Sequence, residues 1–319
     1  MSAPTRVALL AGGTGGAKLA AGMHTLLDAD LSVIANTADD CEIHGLHVSP
    51  DPDLCTYWLA GQIDEERGWG IAGDTFTVHQ RLEELGAPGW FSLSDRDLAT
   101  CLYRTHFIAE GGSLTTAQSQ IARGLGVEGS VLPMCEEPVR THVHTSAGRR
   151  GLQEFLILDG GATPIEGVEV DGLPEARPTS EVLQALAEAD LIVIGPSNPV
   201  ISIGPILAVP GMREAIASAS ARVVAVSPFV SGRAIKGPTE AFMAAIGRPV
   251  SAAGVASLYE GLLDGIVVDE GDPDPPPEDV PALVCHTLMD GSSGRVALAE
   301  RVLDWAEEGL GMTTLRPAP

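Results

Sequence analysis

Apolar, β-branched runs recur along the chain, each followed by turn residues and then by helix-like sequence. The first, Val7–Leu10, drops into the glycine-rich stretch from Gly12 to Gly16 and then into Ala-Lys-Leu-Ala-Ala. A buried strand, a tight glycine turn and a helix start fit that pattern. Leu31–Ala35 (LSVIA) follows one helix length later, which makes a βαβ unit and implies a parallel sheet. The rhythm returns late in the chain with Leu191–Ile194, Val223–Val226 and Gly265–Val268, spaced by helix-like Thr179–Glu188, Met212–Ser218 and Thr239–Ile246. The middle departs from it. Leu54 to about Gly126 reads as mostly helical, with a break at Pro88-Gly89. Val131–Ile157 reads as a hairpin or small β region, and Gly160–Pro178 as a connector. The expectation is one α/β domain over residues 1–319, a Rossmann-like parallel sheet flanked by helices. Its core sheet comes from about 5–58 and 179–300, with an inserted helical and β-hairpin region at about 59–178.

Composition narrows the partners. A hydrophobic share of 45% is enough for a core, and with 4% aromatics that core is mostly Ala, Val, Leu and Ile. The formal net charge of −24 argues against nucleic acid and anionic membranes, since both need Lys and Arg. The acidic excess serves solubility or reflects a salty cytoplasm. No apolar run reaches membrane-spanning length, and a protein without a signal peptide is the expectation. The five cysteines are scattered and lack a C-x-x-C pair, which excludes the usual zinc framework and disfavours a disulfide scaffold. A cytoplasmic location is the expectation. Only two lysines occur, Lys18 and Lys236, and one of them stands in the glycine turn. Lys18 either touches a phosphate there or is an ordinary exposed first-turn residue.

The glycine turn nearly matches two nucleotide fingerprints. A G-x-G-x-x-G beginning at Gly13 would need glycine where Lys18 stands; a P-loop beginning at Gly12 would need it at Ala17. Other strand ends also carry polar turns: Asn36 to Asp40, Gly195 to Pro199 and Ser227 to Gly232. Ligands of open parallel sheets bind at carboxyl ends of strands, so these turns together suggest a polar cleft. Asp39, Asp40, Asp51 and Asp53 are either solvated and helix-capping or, if the segments converge, oxygen ligands for Mg²⁺. His44 and His47 lie in loop-like HGLH, which favours hydrogen bonding over metal binding. Trp69 either stacks on a planar ligand or packs. Arg96, in Ser94-Asp95-Arg96-Asp97, reads first as part of a charged helix start and second as a ligand contact.

Taken in order, these segments resemble the 2-phospho-L-lactate transferase family of coenzyme F420 biosynthesis. The matching pieces are AGGTGGAKL, IANTADDCEIHGLHVSPDPDLCTYWL, IDEERGWGIAGDTF, LSDRDLATCL, LPMCEEPVRTHV, IGPSNPVISIGPIL and VSPFVSGRAIKGP, from about residue 7 to about 240. The resemblance implies a Mg²⁺-dependent transferase that dimerises. It would move a 2-phospholactate or phosphoenolpyruvate unit from a guanosine diphosphate conjugate to the deazaflavin Fo, giving coenzyme F420-0 or its dehydro form and GMP. It assigns Gly12, Gly13, Thr14, Gly15, Gly16, Lys18, Ser197 and Asn198 to the nucleotide, and Asp39, Asp40 and Asp53 to the metal. Asp53, Arg96 and Trp69 fall to Fo, and Asp39 and Asp53 to catalysis. Cys101 stands where many relatives have His, which places it outside catalysis. Two alternatives remain: a nucleotide-sugar-binding regulator of the same superfamily without transferase activity, and an NAD dehydrogenase, which the missing third glycine disfavours. On this reading, Asp53→Asn abolishes GMP release while the fold survives.

Overall fold

A computed structural model describes residues 5–311 of the chain. The central sheet has seven strands: β1 (Val7–Ala11), β2 (Leu31–Ala35), β3 (Ser130–Pro133), β4 (Leu191–Ile194), β5 (Arg222–Val226), β6 (Gly265–Asp269) and β7 (Ala282–Cys285). They lie in the order β3-β2-β1-β4-β5-β6-β7, and each neighbouring pair is parallel. This is the strand order of the dinucleotide-binding fold with one strand added, and it reverses between β1 and β4.

The alternation of each strand feeds two cores. Ala8, Leu10, Ile34, Ile192, Ile194 and Ile266 face one layer of helices, which includes Ser180–Glu188, Ile203–Ala208 and Ala252–Leu258. Leu9, Val33, Val193, Val224 and Val267 face the other, formed by Gly13–Leu27, Pro50–Leu59 and Gly291–Glu308. Both faces are therefore dry, as an all-parallel sheet requires. Each fully buried Leu, Ile or Val contributes ~1.5–3 kcal/mol of burial.

The middle of the chain differs from its sequence reading. Val131 and Leu132, taken as part of a small β region, lie in β3 at the edge of the main sheet, paired with β2. LQEFLI, read in the same region, is the helix Leu152–Ile157. The supposed connector holds Ile165–Asp171, which pairs with Arg140–Thr145 in a three-stranded antiparallel sheet completed by Gly148–Gly151. Its period-2 pattern was hidden by glycine, proline and acidic neighbours. HGLH, read as loop-like, is half turn and half strand: His44 at φ 52° and Gly45 at φ 76° form a two-residue hairpin turn joining Cys41–Ile43 to Leu46–Val48, and Leu46 and His47 lie in that second strand. Among the described residues no helix is long and apolar enough to cross a membrane.

The glycine turn now has a steric explanation. Gly12 is extended and Gly13 takes φ 61°, which sets the start of the helix Gly13–Leu27. A Cβ on Gly15 would lie 2.1 Å from the Pro196 carbonyl oxygen, and one on Gly16 would lie 2.3 Å from Ser197 Oγ. The turns after β1 and β4 thus meet backbone against backbone. Gly15→Ala is expected to cost ~1–3 kcal/mol, because a backbone oxygen has to move. Gly124→Ala, at a helical position with nothing within 4 Å of the new methyl, should be neutral or slightly stabilising. Thermal unfolding of the two variants distinguishes them.

Candidate active site

A cleft of about 630 Å³ opens at the carboxyl ends of β1 and β4, where the strand order reverses. One wall is polar. Gly12, Gly13, Thr14 and Gly15 line it, as do Ser197 and Asn198. Ser197 Oγ accepts the Gly12 amide at 3.0 Å, so the two turns are tied as well as packed. Asn198 Oδ1 accepts the amides of Val200 and Ile201 at 2.9 and 3.2 Å, and its Nδ2 donates to Thr239 Oγ1 at 3.3 Å. Both side chains therefore shape the wall through protein contacts. Helix geometry leaves the Thr14 and Gly15 amides without intrahelical acceptors, which suits an anion.

The acidic part of the wall is organised by Asn36, which is fully buried at the end of β2. Its Nδ2 donates to Asp39 Oδ1 at 2.8 Å and to Asp51 Oδ2 at 2.9 Å. Asp51 Oδ1 also accepts the Gly13 amide at 2.6 Å, joining the acids to the glycine turn. Pro50 and Pro52 set Asp51 in the first turn of the helix Pro50–Leu59. Burial pushes the Asp51 carboxyl up to about 6. Burial raises Asp39 well above the usual carboxylate range too, and the Asp51 and Asp40 charges add to that.

The three acids expected to share a metal diverge. Asp40 turns away from the cleft: its Oδ2 meets His47 Nε2 at 2.7 Å and its Oδ1 accepts Ser49 Oγ at 2.8 Å. Asp53 lines the cleft but is held from behind by Arg104, whose guanidinium is fully buried and also donates to Gln118 Oε1 at 3.1 Å. Burial works against the Arg104 charge, and the Asp53 carboxylate outweighs it. The acid beside Asp39 is Asp51, which the sequence reading had noted but not carried into the site. Asp97 was missed as a site residue. It lines the cleft, accepts Tyr57 OH at 2.8 Å, and its carboxylate lies within 4.8 Å of that of Asp53. Burial and the Asp53 charge push Asp97 up to about 6.

Two other expected residues lie elsewhere. Arg96 donates to the Ala72 carbonyl at 2.8 Å and meets Asp74 at 3.4 Å, outside the cleft. It is adjacent to Asp97 on the helix Asp95–Ala109, and one residue of helical rotation separates outward from inward. Lys18 is on the face of its helix toward Trp58, 5.7 Å from the ring centroid, and burial lowers its pKa. The other lysine, Lys236, lines the cleft, as does Arg67. Gly16 packs behind the turn. Trp69 is on the rim, 42% exposed, with Arg67 5.2 Å from its ring centroid. Trp69, Trp90, Phe91, Leu93, Leu156 and Ile157 give the lining an apolar part as well.

A doubly wound, all-parallel sheet with a glycine turn, paired acids and aromatic side chains lining a cleft at its switch point defines the class: an α/β protein of Rossmann-like fold. Residues 7–280 match the family described as 2-phospho-L-lactate transferase CofD, and the chain belongs to that family. It is 40% identical over 265 residues to a 2-phospho-L-lactate transferase of Methanosarcina mazei, covering 83% of this chain and 87% of that protein. It is 43% identical over 276 residues to a phosphoenolpyruvate transferase of Streptomyces coelicolor, covering 84% and 86%. The fold is similar to that of a UPF0052-family protein from Bacillus halodurans, with a TM-score of 0.63 at 20% identity over 95% of this chain and 100% of that one.

Two outcomes follow from the buried charges. Asp53→Asn is now expected to lose stability by ~3–5 kcal/mol, because it leaves the Arg104 guanidinium buried without its anion. The expectation that the fold survives this change unaltered is thereby revised. Asp51 binds its proton more tightly folded than unfolded, so its contribution to stability falls as pH rises from 3.8 through about 6. Without divalent cations, the thermal midpoint should fall across that window, and Asp51→Asn should flatten the fall.

Proposed function

We propose that the chain transfers a 2-phospholactate or phosphoenolpyruvate unit from its guanosine diphosphate conjugate to the deazaflavin Fo, releasing GMP. The observation that carries this reading is the mixed lining of the cleft: glycine-turn amides and paired carboxylates that could hold a cation, together with aromatic and aliphatic side chains. The first suits a diphosphate, the second a deazaflavin ring. Membership of the family, and relatives carrying both names at about 40% identity, support the chemistry.

Asp39 and Asp51 fit Mg²⁺ better than the triad expected from sequence. They are two hard oxygen donors on one amide, both reluctant to ionise without a cation, and Mg²⁺ takes one or two carboxylates plus substrate phosphates. Bound there, the ion would neutralise diphosphate charge. Asn36 fixes both carboxylates. The Thr14 and Gly15 amides hold phosphate oxygens, and the aromatic wall excludes water and orients Fo. Phosphoryl transfer depends mainly on such positioning and charge neutralisation. The Asp53–Asp97 pair takes the proton of the attacking Fo hydroxyl as GMP leaves.

Incubation with Fo, either conjugate and Mg²⁺, read by mass spectrometry, should give an Fo phosphodiester and GMP; absence of any adduct with both donors overturns the reading. Asp51→Asn should reduce kcat by ~100-fold or more, the scale of losing a major electrostatic contact in the transition state. Chelation of divalent ions should silence the wild type.

A further inference from the structure

Four carboxylates line the cleft, and each has a protein partner: Asn36 for Asp39 and Asp51, Arg104 for Asp53, Tyr57 for Asp97. Only two cations line it among the described residues, Arg67 and Lys236. They come from separate loops, each anchored outside the cleft. Glu65, two residues before Arg67, is gripped by Arg295 at 2.9 and 3.1 Å. The loop before Lys236 is held at Ser231, whose amide donates to Asp269 Oδ1 at 3.1 Å; that carboxylate also binds Gly271 and Thr287.

The loops meet. A Cβ on Gly68 would stand 2.0 Å from Lys236 Nζ, so the ammonium lies against the backbone next to Arg67. Lys236 has no hydrogen-bond or ion-pair partner among the described residues, although the chain carries 43 acids. Arg67 bonds Asp64 at 3.1 Å and the Ile71 carbonyl at 3.0 Å, but its Nε is buried with no acceptor. Buried donors of this kind are rare, and this one is closed to solvent, so what Arg67 offers the cleft is its charge. An ammonium with no partner among the described residues, on the cleft lining beside the backbone that follows a second cation, is complementary to one small anion.

We infer that Arg67 and Lys236 form the seat of the carboxylate on the transferred unit. This rests on the transferase reading, under which the donor carries a diphosphate and a carboxylate. On that reading the diphosphate meets the glycine-turn amides and the Mg²⁺ that Asp39 and Asp51 would hold. The carboxylate has no other cation in the cleft to meet. Lactyl and enolpyruvyl units both carry it, whereas GDP and GMP do not, so the seat separates donor from nucleotide.

The test is calorimetric binding of the donor and of GDP, each with Mg²⁺, to wild type, Lys236→Met and Lys236→Arg, with donor KM measured in parallel. A charge-assisted contact is worth ~1.5–3 kcal/mol, so Lys236→Met should weaken donor binding and raise donor KM about tenfold or more. GDP affinity should stay at the wild-type value, and Lys236→Arg should recover most of the loss. Equal weakening of donor and GDP would assign Lys236 to the diphosphate and overturn the inference. So would unchanged donor affinity. If the wild type binds donor with this margin over GDP, and loses it in Lys236→Met, yet forms no product, the seat stands and the transferase reading falls.

Discussion

The contact between Gly15 and the Pro196 carbonyl is the constraint on which the site depends. It brings the turns after β1 and β4 together at the point where the strand order reverses. A side chain at either Gly15 or Gly16 would wedge those turns apart. With them closed, Ser197 can reach the Gly12 amide and Asp51 the Gly13 amide. Through Asp51, the helix Pro50–Leu59 is drawn in, and with it Asp53 and Tyr57. The placing of Asp51 and Asp53 is therefore tied to a steric requirement met in a distant part of the chain. This also sets the turn apart from both nucleotide fingerprints in what its glycines do. They describe glycines that let a phosphate approach; here two of the glycines serve the approach of another strand's turn.

A second layer supports the first from behind. Arg104 carries its charge with no exposure at all, which is tolerable because Asp53, Gln118 and the His47 carbonyl meet it. The acids of the cleft are thus of two kinds. Asp53 is neutralised by the protein. Asp39 and Asp51 share one amide and face each other's charge, an arrangement stabilised by protons at low pH or by a cation. The difference lies in what stands behind each carboxylate, which spacing along the chain does not report.

Sequence was a good guide where chemistry and periodicity coincide. The buried runs of β1, β2, β4, β5 and β6 were legible because parallel strands covered on both faces are nearly unbroken apolar segments. β3 and Ile165–Asp171 were misplaced because one is a short edge strand and the other alternates with Glu and Gly. In the site, the turns were legible as turns, but facing was not. Asp40 and Asp39 are neighbours that point to different sides of a strand exit, and Arg96 and Asp97 are neighbours on a helix. Lys18 stood out by its place in the glycine turn, yet it faces Trp58 of the neighbouring helix. The lysine that reaches the cleft, Lys236, lies more than two hundred residues away in a loop held by Asp269. Only tertiary structure brings it to Gly68.

The unpaired ammonium of Lys236 also bears on how a polyanion arrives. With a net charge of −24, the protein repels such a molecule at a distance. The local attraction of Lys236 and Arg67 extends only about 8 Å at physiological ionic strength. Capture of the proposed donor would therefore be a barrier crossing against the outer field, followed by a short-range fall into the cleft. Added salt lowers the outer barrier more than it weakens a contact made inside. Association should quicken with moderate ionic strength, the reverse of the usual behaviour of electrostatically steered pairs.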